Sequence, residues 1–337
     1  AEGSLGWAYG AVTEALGWEV NDGEGKTMGL APYGSTETTD GTLDFLFPRY
    51  SDAKLVRPHD FGKVTGWYVG SFDRWHFPDA QKIKELAEIF GRENIAAEAQ
   101  RQVEKQMMEI ILPLARREGL RTVCAAGGVF LNVKMNQRIL SSGAVDNYHI
   151  YPDAGDGGIA SGIALNAWYA KTGHNQIYPL ANSYFGPEFA NDEVEGIIKE
   201  RNLSYTPCPD IAQVVADLLE KGKIVGWFQG RMEFGPRALG HRSIFANPCW
   251  VDVKKYLNQK IKYREGWRPY APIIMEEEVN KWFDAYNSLA NSYMLMSYEV
   301  KQPTKIPGVT HKDKTARVQT VNIKQNSRVY NLLCNVM

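Results

Sequence analysis

Three arginines share one glycine-rich loop, residues 230–243 (GRMEFGPRALGHRS): Arg231, Arg237 and Arg242. Glycines allow backbone amides to approach a ligand closely. Arginine forks make bidentate, charge-assisted hydrogen bonds to phosphate or carboxylate, and each such bond contributes on the order of 1.5–3 kcal/mol. The loop therefore predicts a binding site for anions.

Further basic residues follow in three short segments: Lys262 in 258–265, Arg268 in 267–272 and Arg317 in 315–320. A single loop arginine is more often solvated or weakly paired. This many clustered cations instead suit a polyphosphate together with a second phosphorylated substrate. Across the chain, 38 Lys and Arg residues nearly balance 39 Asp and Glu residues, so a nucleic-acid partner is not expected.

Other candidate residues lie in glycine-rich turns, and each has two interpretations. Asp156 lies between glycines after a predicted strand, as a ligand for a divalent cation or as part of an ordinary turn. Gly127 and Gly128 precede a helix, where they present amides to phosphate or simply allow close packing. Glu24, in the segment EGKTMGLAPYG, accepts a hydrogen bond from a ribose hydroxyl or pairs with Lys26.

Nucleophilic catalysis finds little support in the sequence. The 6 histidines form no HxxH or HxxxH pair, and no Gly-x-Ser-x-Gly segment is present. Positioning and electrostatic stabilisation are therefore the expected means of catalysis.

Strands and helices alternate around these turns. The predicted helices are 5–17, a long helix with an apolar stripe (Ile95, Ala99, Val103, Met107, Ile110, Leu114), a helix ending at Leu140, and helices over 159–171, 211–219 and 327–337. The predicted strands are 122–126, 147–151 and a buried strand over 223–228, with a hairpin over 61–72. This alternation predicts an α/β fold with ligands at the strand-to-helix turns.

The length of 337 residues predicts two domains, residues 1–180 and 181–337, joined by a linker over 172–187. No apolar run is long enough to span a bilayer, and no signal-peptide pattern begins the sequence. The 4 cysteines are far apart, without a metal or disulfide pattern. We therefore expect a cytoplasmic protein with no membrane partner.

Six ordered motifs resemble the O-carbamoyltransferases of the NodU/CmcH type. They are EGKTMGLAPYG (24–34), AAGGVFLNVKMNQRIL (125–140), GDGGIASGIAL (155–165), GRMEFGPRALGHRSIFANP (230–248), IKYREGWRPYAP (261–272) and HKDKTARVQTV (311–321). The resemblance implies a partial actin-like ATPase (ASKHA) domain, akin to a tRNA threonylcarbamoyladenosine synthesis protein, followed by a YrdC-like α/β domain. It also implies a two-step reaction. ATP and carbamoyl phosphate form carbamoyl adenylate, and the carbamoyl group then passes to a hydroxyl of a small natural product.

The resemblance also implies roles for individual residues. It places Arg231, Arg237, Arg242, Lys262, Arg268 and Arg317 at carbamoyl phosphate and ATP, with Arg237, Lys262 and Arg268 as catalytic groups. It places Gly127, Gly128 and Asn132 along the adenylate, Glu24 near the ribose, and Asp156 on a metal that polarises the carbamoyl carbonyl. The implied cofactors are ATP with Mg²⁺, and iron or another divalent metal in the actin-like domain. We expect acceptor contacts in the aromatic stretch 35–80, which otherwise is a capping loop, and a homodimer is a further expectation.

Two alternatives stay open. One is carbamoyl transfer to a protein thiol in hydrogenase maturation, which calls for cysteine-rich zinc knuckles and an acylphosphatase-like segment that this sequence does not show. The other is a nucleotide-binding or RNA-binding module without turnover. The family's HxxxH metal pair and its Asn-Thr-Ser-Phe-Asn stretch are also missing from the sequence. We therefore expect a chain truncated at both ends.

Overall fold

The computed structural model describes residues 2–61, 76–173, 180–285 and 291–336. Within them helices and small sheets mix, as predicted for an α/β fold. The helices are α1 Leu5–Ala15, α2 Glu24–Leu30, α3 Ala80–Phe90, α4 Arg92–Glu118, α5 Val133–Ser141, α6 Ile159–Thr172, α7 Asn191–Glu200, α8 Ile211–Glu220, α9 Val253–Tyr256, α10 Val279–Trp282 and α11 Ser327–Val336. The hairpin predicted over 61–72 lies, except for Phe61, outside the described residues.

The strands are short and form separate small sheets. They are β1 Arg49–Ser51, β2 Lys54–Arg57, β3 Thr122–Ala125, β4 Asn147–Ile150, β5 Val225–Phe228, β6 Arg242–Phe245, β7 Ile273–Met275, β8 Phe283–Asp284, β9 Tyr298–Val300, β10 Thr315–Ala316 and β11 Gln319–Val321. The pairs β3–β4 and β7–β11 are parallel. The pairs β1–β2 and β5–β6 and the three-stranded sheet β10–β9–β8 are antiparallel.

Helices α1 and α4 form as their sequences predict. The Ser4 hydroxyl accepts a hydrogen bond of 3.1 Å from the Trp7 amide and caps α1, which ends before Gly17 at a φ of +88°. On α4 the predicted stripe is buried from Ile95 to Met107. Beyond that point the buried face continues through Ile111 and Ala115, whereas Leu114 is 41% exposed. Leu114, the last residue of the predicted apolar stripe, therefore lies outside the core.

Two parallel strand-turn-helix units carry the first set of predicted site residues. Strand β3 leads into a 3₁₀ turn, Gly128–Leu131, and then α5, while β4 leads into the 3₁₀ turn Asp156–Gly158 and α6. The strands pair in register from Thr122 opposite Asn147. Both turns therefore lie at the carboxyl end of the same small sheet, the usual ligand-binding edge of a parallel sheet.

Strand β5 is less buried than its apolar sequence predicts. It pairs only with β6 among the described strands, so one of its two edges is paired within the sheet. Trp227 packs into a core formed with α8 and α11, while Phe228 on the opposite face is 59% exposed. The prediction of a buried strand is therefore wrong, because side chains alternate between the two faces of a strand and only one face of β5 is packed.

The main hydrophobic core contains residues from both ends of the chain. Buried residues of α1 and α4 share it with β9, β10 and neighbouring residues such as Phe283, Leu295 and Val318. Polar contacts add to this packing, because Asn136 Nδ2 donates to the Leu295 carbonyl at 2.8 Å and Ser297 Oγ to Gln137 Oε1 at 2.7 Å. The core thus crosses the predicted boundary at 180/181, and that boundary stays a prediction.

None of the helices in the described ranges combines the length and the apolar character that crossing a membrane requires.

Candidate functional site

The loop between β5 and β6 holds Arg237 half-buried. Its Nη2 donates a hydrogen bond of 3.3 Å to the carbonyl of Leu131, in the turn before α5. Its Nε is buried and finds no hydrogen-bond partner among the described residues. Burial lowers the pKa of Arg237 to about 10, because desolvation disfavours the charged form.

Arg317 lies between β10 and β11 and is more strongly perturbed. Burial, followed by repulsion from Arg237, Arg264 and Arg268, holds the pKa of Arg317 well below its ordinary value. Its Nε is also buried with no hydrogen-bond partner in the described part of the chain. Repulsion of this kind requires the charges to be near one another, so these four side chains form one group, called here the arginine cluster.

The segment after α9 supplies the other two members of the arginine cluster. Arg264 Nε donates to Asn258 Oδ1 at 2.8 Å, and the Arg264 guanidinium lies 4.7 Å from the centre of the Tyr270 ring. Arg268 Nη1 lies 3.8 Å from a carboxylate oxygen of Glu265. Burial, then repulsion from Arg264, lowers the pKa of Arg268 despite the neighbouring carboxylate.

The cluster holds more positive than negative charge. Glu265 is its one ion-pair partner within residues 2–61, 76–173, 180–285 and 291–336, and Glu265 also lies 3.6 Å from Lys26 Nζ. Buried cations without counter-charges are costly, so such a group calls for anions from outside the chain. Several phosphate groups would meet that requirement.

The other predicted phosphate-binding residues are not among the four members of the arginine cluster. Arg231 is exposed, with Nε 3.5 Å from Glu188 Oε2. Arg242 directs Nη1 to the carbonyl of Gln229 at 2.6 Å and Nη2 to that of Gly230 at 3.0 Å. Lys262 is exposed at the end of a π-helical turn. Their roles stay predictions.

The residues predicted along the adenylate border the cluster. Asn132 caps α5 by accepting from the Met135 amide at 3.0 Å, and its Nδ2 donates to Gln100 Oε1 at 2.9 Å. The Tyr9 hydroxyl donates to the same Gln100 oxygen at 2.8 Å. Because Arg237 bonds the carbonyl of Leu131, the turn that ends at Asn132 lies between this polar network and the arginine cluster.

Glu24 belongs to the same surroundings. It begins α2, and its Oε1 accepts from the Asn21 amide at 2.9 Å. Burial raises the pKa of Glu24, and burial together with the charges of Glu104 and Glu24 raises that of Tyr9 well above its ordinary range. Glu24 is thus close enough to Tyr9 to act on it.

Gly127 and Gly128 occupy different conformations. Gly127 has a φ of +115°, and its amide donates to the Ala154 carbonyl at 2.7 Å, which joins the turns after β3 and β4. A methyl group on Gly128 would meet no atom within 4 Å. The backbone of Gly128 is therefore free to face a ligand, while Gly127 shapes the turn.

Asp156 lies exposed at the start of the 3₁₀ turn after β4. Burial, and then the negative charge of Asp156, raises the pKa of Asp153, so these two carboxylates are close. The described residues contain no group of three His, Cys, Asp or Glu side chains able to hold a metal ion. This part of the chain therefore does not fit the three protein ligands of a catalytic metal, and the role of Asp156 stays a prediction.

The aromatic stretch 35–80 is only partly described. Leu43, Leu46 and Phe47 are buried in the main core, as a capping loop requires. Residues 62–75 lie outside the described residues, so acceptor binding by this stretch stays a prediction.

Three groups that sequence reasoning did not single out contribute to the site. Arg264 completes the cluster, and its position next to an aromatic residue in the same segment as Arg268 was the available signal. Glu233 is 6% exposed, and its Oε1 accepts hydrogen bonds from three backbone amides of the Arg237 loop. Tyr9 and Gln100 connect Asn132 to α1 and α4, and no local pattern marks them because they meet only in the folded chain.

Comparison with known proteins gives two family matches. Residues 2–165 match the family described as "Carbamoyltransferase N-terminus", and residues 216–337 match "Carbamoyltransferase C-terminus". An uncharacterized protein from Synechocystis sp. is 36% identical over 362 residues, covering 98% of this chain and 58% of the relative.

Two relatives carry nodulation names. Nodulation protein NolO from Bradyrhizobium diazoefficiens is 31% identical over 338 residues, with 98% of this chain and 60% of the relative covered. Nodulation protein U from Rhizobium fredii is 36% identical over 218 residues, with 64% of this chain and 35% of the relative covered. The chain thus spans about half to three fifths of the length of the relatives that it matches over nearly all of its own length.

Proposed function

The chain belongs to the carbamoyltransferase family, and from this premise we propose that it binds ATP and carbamoyl phosphate and forms carbamoyl adenylate for transfer to a hydroxyl of a small natural product. The arginine cluster is the observation that carries this proposal. Arg237 and Arg317 each keep a buried Nε without a hydrogen-bond partner among the described residues. Phosphate oxygens would satisfy both donors.

The amount of charge favours two phosphorylated ligands over one. Four guanidinium groups repel one another in the free protein, and the phosphates of ATP and of the carbamate donor repel one another in solution. Placing both sets together offsets both repulsions. The same cations stabilise the negative charge that develops on departing phosphates, which is the main means of catalysis in phosphoryl and nucleotidyl transfer.

The first step converts carbamoyl phosphate to carbamate and joins that carbamate to the AMP part of ATP. The donor loses its phosphoryl group to water as inorganic phosphate, which leaves carbamate. A carbamate oxygen then attacks the α-phosphorus of ATP, the bond to the β-phosphate breaks, and pyrophosphate leaves. Arg237 and Arg268 are proposed as catalytic groups that neutralise these leaving groups, and Arg264 and Arg317 complete the binding site.

The remaining residues have proposed roles around this step. Arg231, Arg242 and Lys262 would attract or position the anions from outside the cluster. Gly127, Gly128 and Asn132 would lie along the adenylate, with Glu24 near its ribose. ATP would bind with Mg²⁺, as nucleotide triphosphates ordinarily do.

The second step transfers the carbamoyl group. The acceptor oxygen attacks the carbamoyl carbon, the bond to the phosphate of AMP breaks, and the hydroxyl proton is lost. The turn after β3 contacts the arginine cluster through the Arg237–Leu131 hydrogen bond, and the Gly127–Ala154 hydrogen bond joins it to the turn after β4, so an adenylate bound at Asn132 would lie near both turns. The proposed architecture is that of an actin-like lobe followed by a YrdC-like lobe.

Exchange of labelled pyrophosphate into ATP in the presence of carbamoyl phosphate tests the first step. We expect wild-type exchange, and a loss of about 100-fold or more in Arg237→Ala and Arg268→Ala, since each loses hydrogen bonds of about 1.5–3 kcal/mol to charged groups. Arg116→Ala is the control, because Arg116 is exposed on α4 and its side chain donates to the Leu112 carbonyl of its own helix, its one hydrogen bond to the described residues.

The outcome also separates the alternatives. No exchange, together with salt-sensitive retention of RNA by the wild type but not by Arg237→Ala, would favour a binding module without turnover. Exchange, together with transfer of the carbamoyl carbon of carbon-labelled carbamoyl phosphate to a peptide thiol and not to a hydroxyl, would favour the alternative acceptor.

A further inference from the structure

We propose that Glu233 is the positioning residue of the adenylate-forming site: its carboxylate fills a nest of backbone amides and thereby holds the loop that carries Arg237. This inference rests on the proposed function for its catalytic consequence. The hydrogen bonds from the amides of Leu239, His241 and Arg242 to the Glu233 carboxylate, called here the clamp, can be measured without an activity assay.

One oxygen of Glu233 gathers three donors. Glu233 Oε1 accepts from the amides of Leu239 at 2.7 Å, His241 at 2.9 Å and Arg242 at 3.1 Å. Backbone amides that converge in this way form an anion-binding concavity. In this chain the protein's own carboxylate occupies it, with the Glu233 residue 6% exposed.

The electrostatics agree with an ionised group. Burial acts to raise the pKa of Glu233, but the hydrogen bonds from these backbone amides outweigh burial and lower it below its ordinary value. The carboxylate is therefore charged at neutral pH, and its bonds to the amides are charge-assisted.

The clamp closes the loop around Arg237. Residues 234–238 lie between Glu233 and Leu239, so the hydrogen bond between these two residues fixes the separation of the loop's ends. Gly235 and Gly240, at φ values of +104° and +95°, allow the reversals of direction that this closure needs. Arg237 then reaches across to the Leu131 carbonyl.

Other contacts hold the carbonyls of the same loop. Gln229 Nε2 donates to the Gly240 carbonyl at 2.8 Å, and the Tyr184 hydroxyl donates to the Leu239 carbonyl at 3.0 Å. These bonds leave the amides of Leu239, His241 and Arg242 to Glu233. The carboxylate is therefore the group whose loss frees the donors.

Glu233→Ala in the full chain tests the inference, with inorganic pyrophosphate as the probe. The change removes a fragment of about the size of acetate and leaves the amides without an acceptor. We expect pyrophosphate affinity to fall about tenfold or more, the change that one hydrogen bond to a charged group typically makes. Acetate at constant ionic strength should restore the affinity, whereas chloride should not.

Two further variants separate positioning from stability. Glu233→Gln keeps an acceptor oxygen without the charge, so its affinity should lie between those of the wild type and Glu233→Ala, and it serves if Glu233→Ala does not fold. Glu14→Ala is the matched control, since Glu14 is another buried carboxylate that accepts from two backbone amides, those of His76 and Phe77. It should lower the free energy of unfolding and leave pyrophosphate affinity unchanged.

Hydrogen exchange of the 234–242 segment reports the clamp directly. We expect faster exchange in Glu233→Ala and its reversal by acetate. Unchanged exchange and affinity in a folded Glu233→Ala, or a loss that Glu14→Ala shares at equal destabilisation and that acetate does not restore, would overturn the inference. A wild type that does not bind pyrophosphate would instead count against the proposed function, and hydrogen exchange would still decide the clamp.

Discussion

Arg237 Nη2 and the carbonyl oxygen of Leu131 are joined by a hydrogen bond of 3.3 Å across 106 positions of sequence. This bond places the basic loop after β5 against the turn before α5. A ligand at the arginine cluster would therefore lie within reach of Gly128 and Asn132. The proposed sites of the two reaction steps are therefore adjacent.

Removing Arg317 should stabilise the free protein and inactivate it. Arg317→Met replaces a buried, mutually repelled cation with an apolar side chain of similar length, so the free energy of unfolding should rise by about 1–3 kcal/mol. Pyrophosphate exchange should fall by about 100-fold or more, since the site loses one of the four cations that bind the phosphates. Urea unfolding and the exchange assay measure the two effects. A variant that is both less stable and fully active would contradict the claim that Arg317 is repelled by its neighbours and binds the phosphates.

Arg242 should stabilise the folded loop besides positioning the anions. Its guanidinium donates to the carbonyls of Gln229 and Gly230 and lies 3.6 Å from the centre of the Phe228 ring. Arg242→Ala should therefore lower the free energy of unfolding by about 1–2 kcal/mol. Arg242→Lys should not restore it, because a single ammonium cannot reproduce the fork or the stacking. Equal stability of Arg242→Lys and the wild type would refute this role.

Gly127→Ala and Gly128→Ala should separate conformation from ligand contact. Gly127, at a φ of +115°, would be strained by a side chain, and the cost should be about 1–3 kcal/mol of unfolding free energy. Gly128→Ala meets open space, so its stability should change by less than about 0.5 kcal/mol. Because Gly128 is proposed to face the nucleotide, the KM of the Gly128→Ala variant for ATP should nevertheless rise. Thermal unfolding and exchange kinetics at varied ATP concentration measure the pair, and an unchanged KM in Gly128→Ala would remove Gly128 from the adenylate site.

The contribution of Glu233 to stability should depend on pH with a defined sign. The pKa of Glu233 in the folded protein lies below its pKa in the unfolded chain, which is about 4.3 for Glu. The stabilisation is thus present above that value and is lost as the pH falls through the folded pKa. The difference in unfolding free energy between the wild type and Glu233→Gln should be constant from pH 7 to about pH 5 and shrink on further acidification. A difference that grows toward low pH would have the wrong sign for this carboxylate.

Sequence reasoning located the elements that carry the site better than it located the side chains within them. The turns after β3 and β4 follow from glycine placement and apolar runs, which are local signals. Arg237 and Arg231 are equally basic and six positions apart, yet Arg237 is half-buried with its Nε enclosed, while Arg231 is exposed and pairs with Glu188. Spacing along an irregular loop does not determine the direction of each side chain, so the difference between these two arginines appears only in the folded chain.

Glu233 shows the same limit for a different reason. Within the motif it is the single acid among basic residues, and its role depends on three amides that converge only after the loop has closed. Tyr9 likewise acquires its partner, Gln100, from a distant segment. Local pattern predicts which residue types are present, and long-range packing decides which of them meet.

The shared core has a consequence for how this chain tolerates being divided. Tyr298 on β9 is fully buried beside residues of α1 and α4. A polypeptide ending near residue 180 would thus expose the hydrophobic surface that β9 and β10 cover in the intact chain. The complementary piece would lose the surface against which those strands pack. Co-expressed halves should find each other and reassociate, whereas either half produced singly should precipitate.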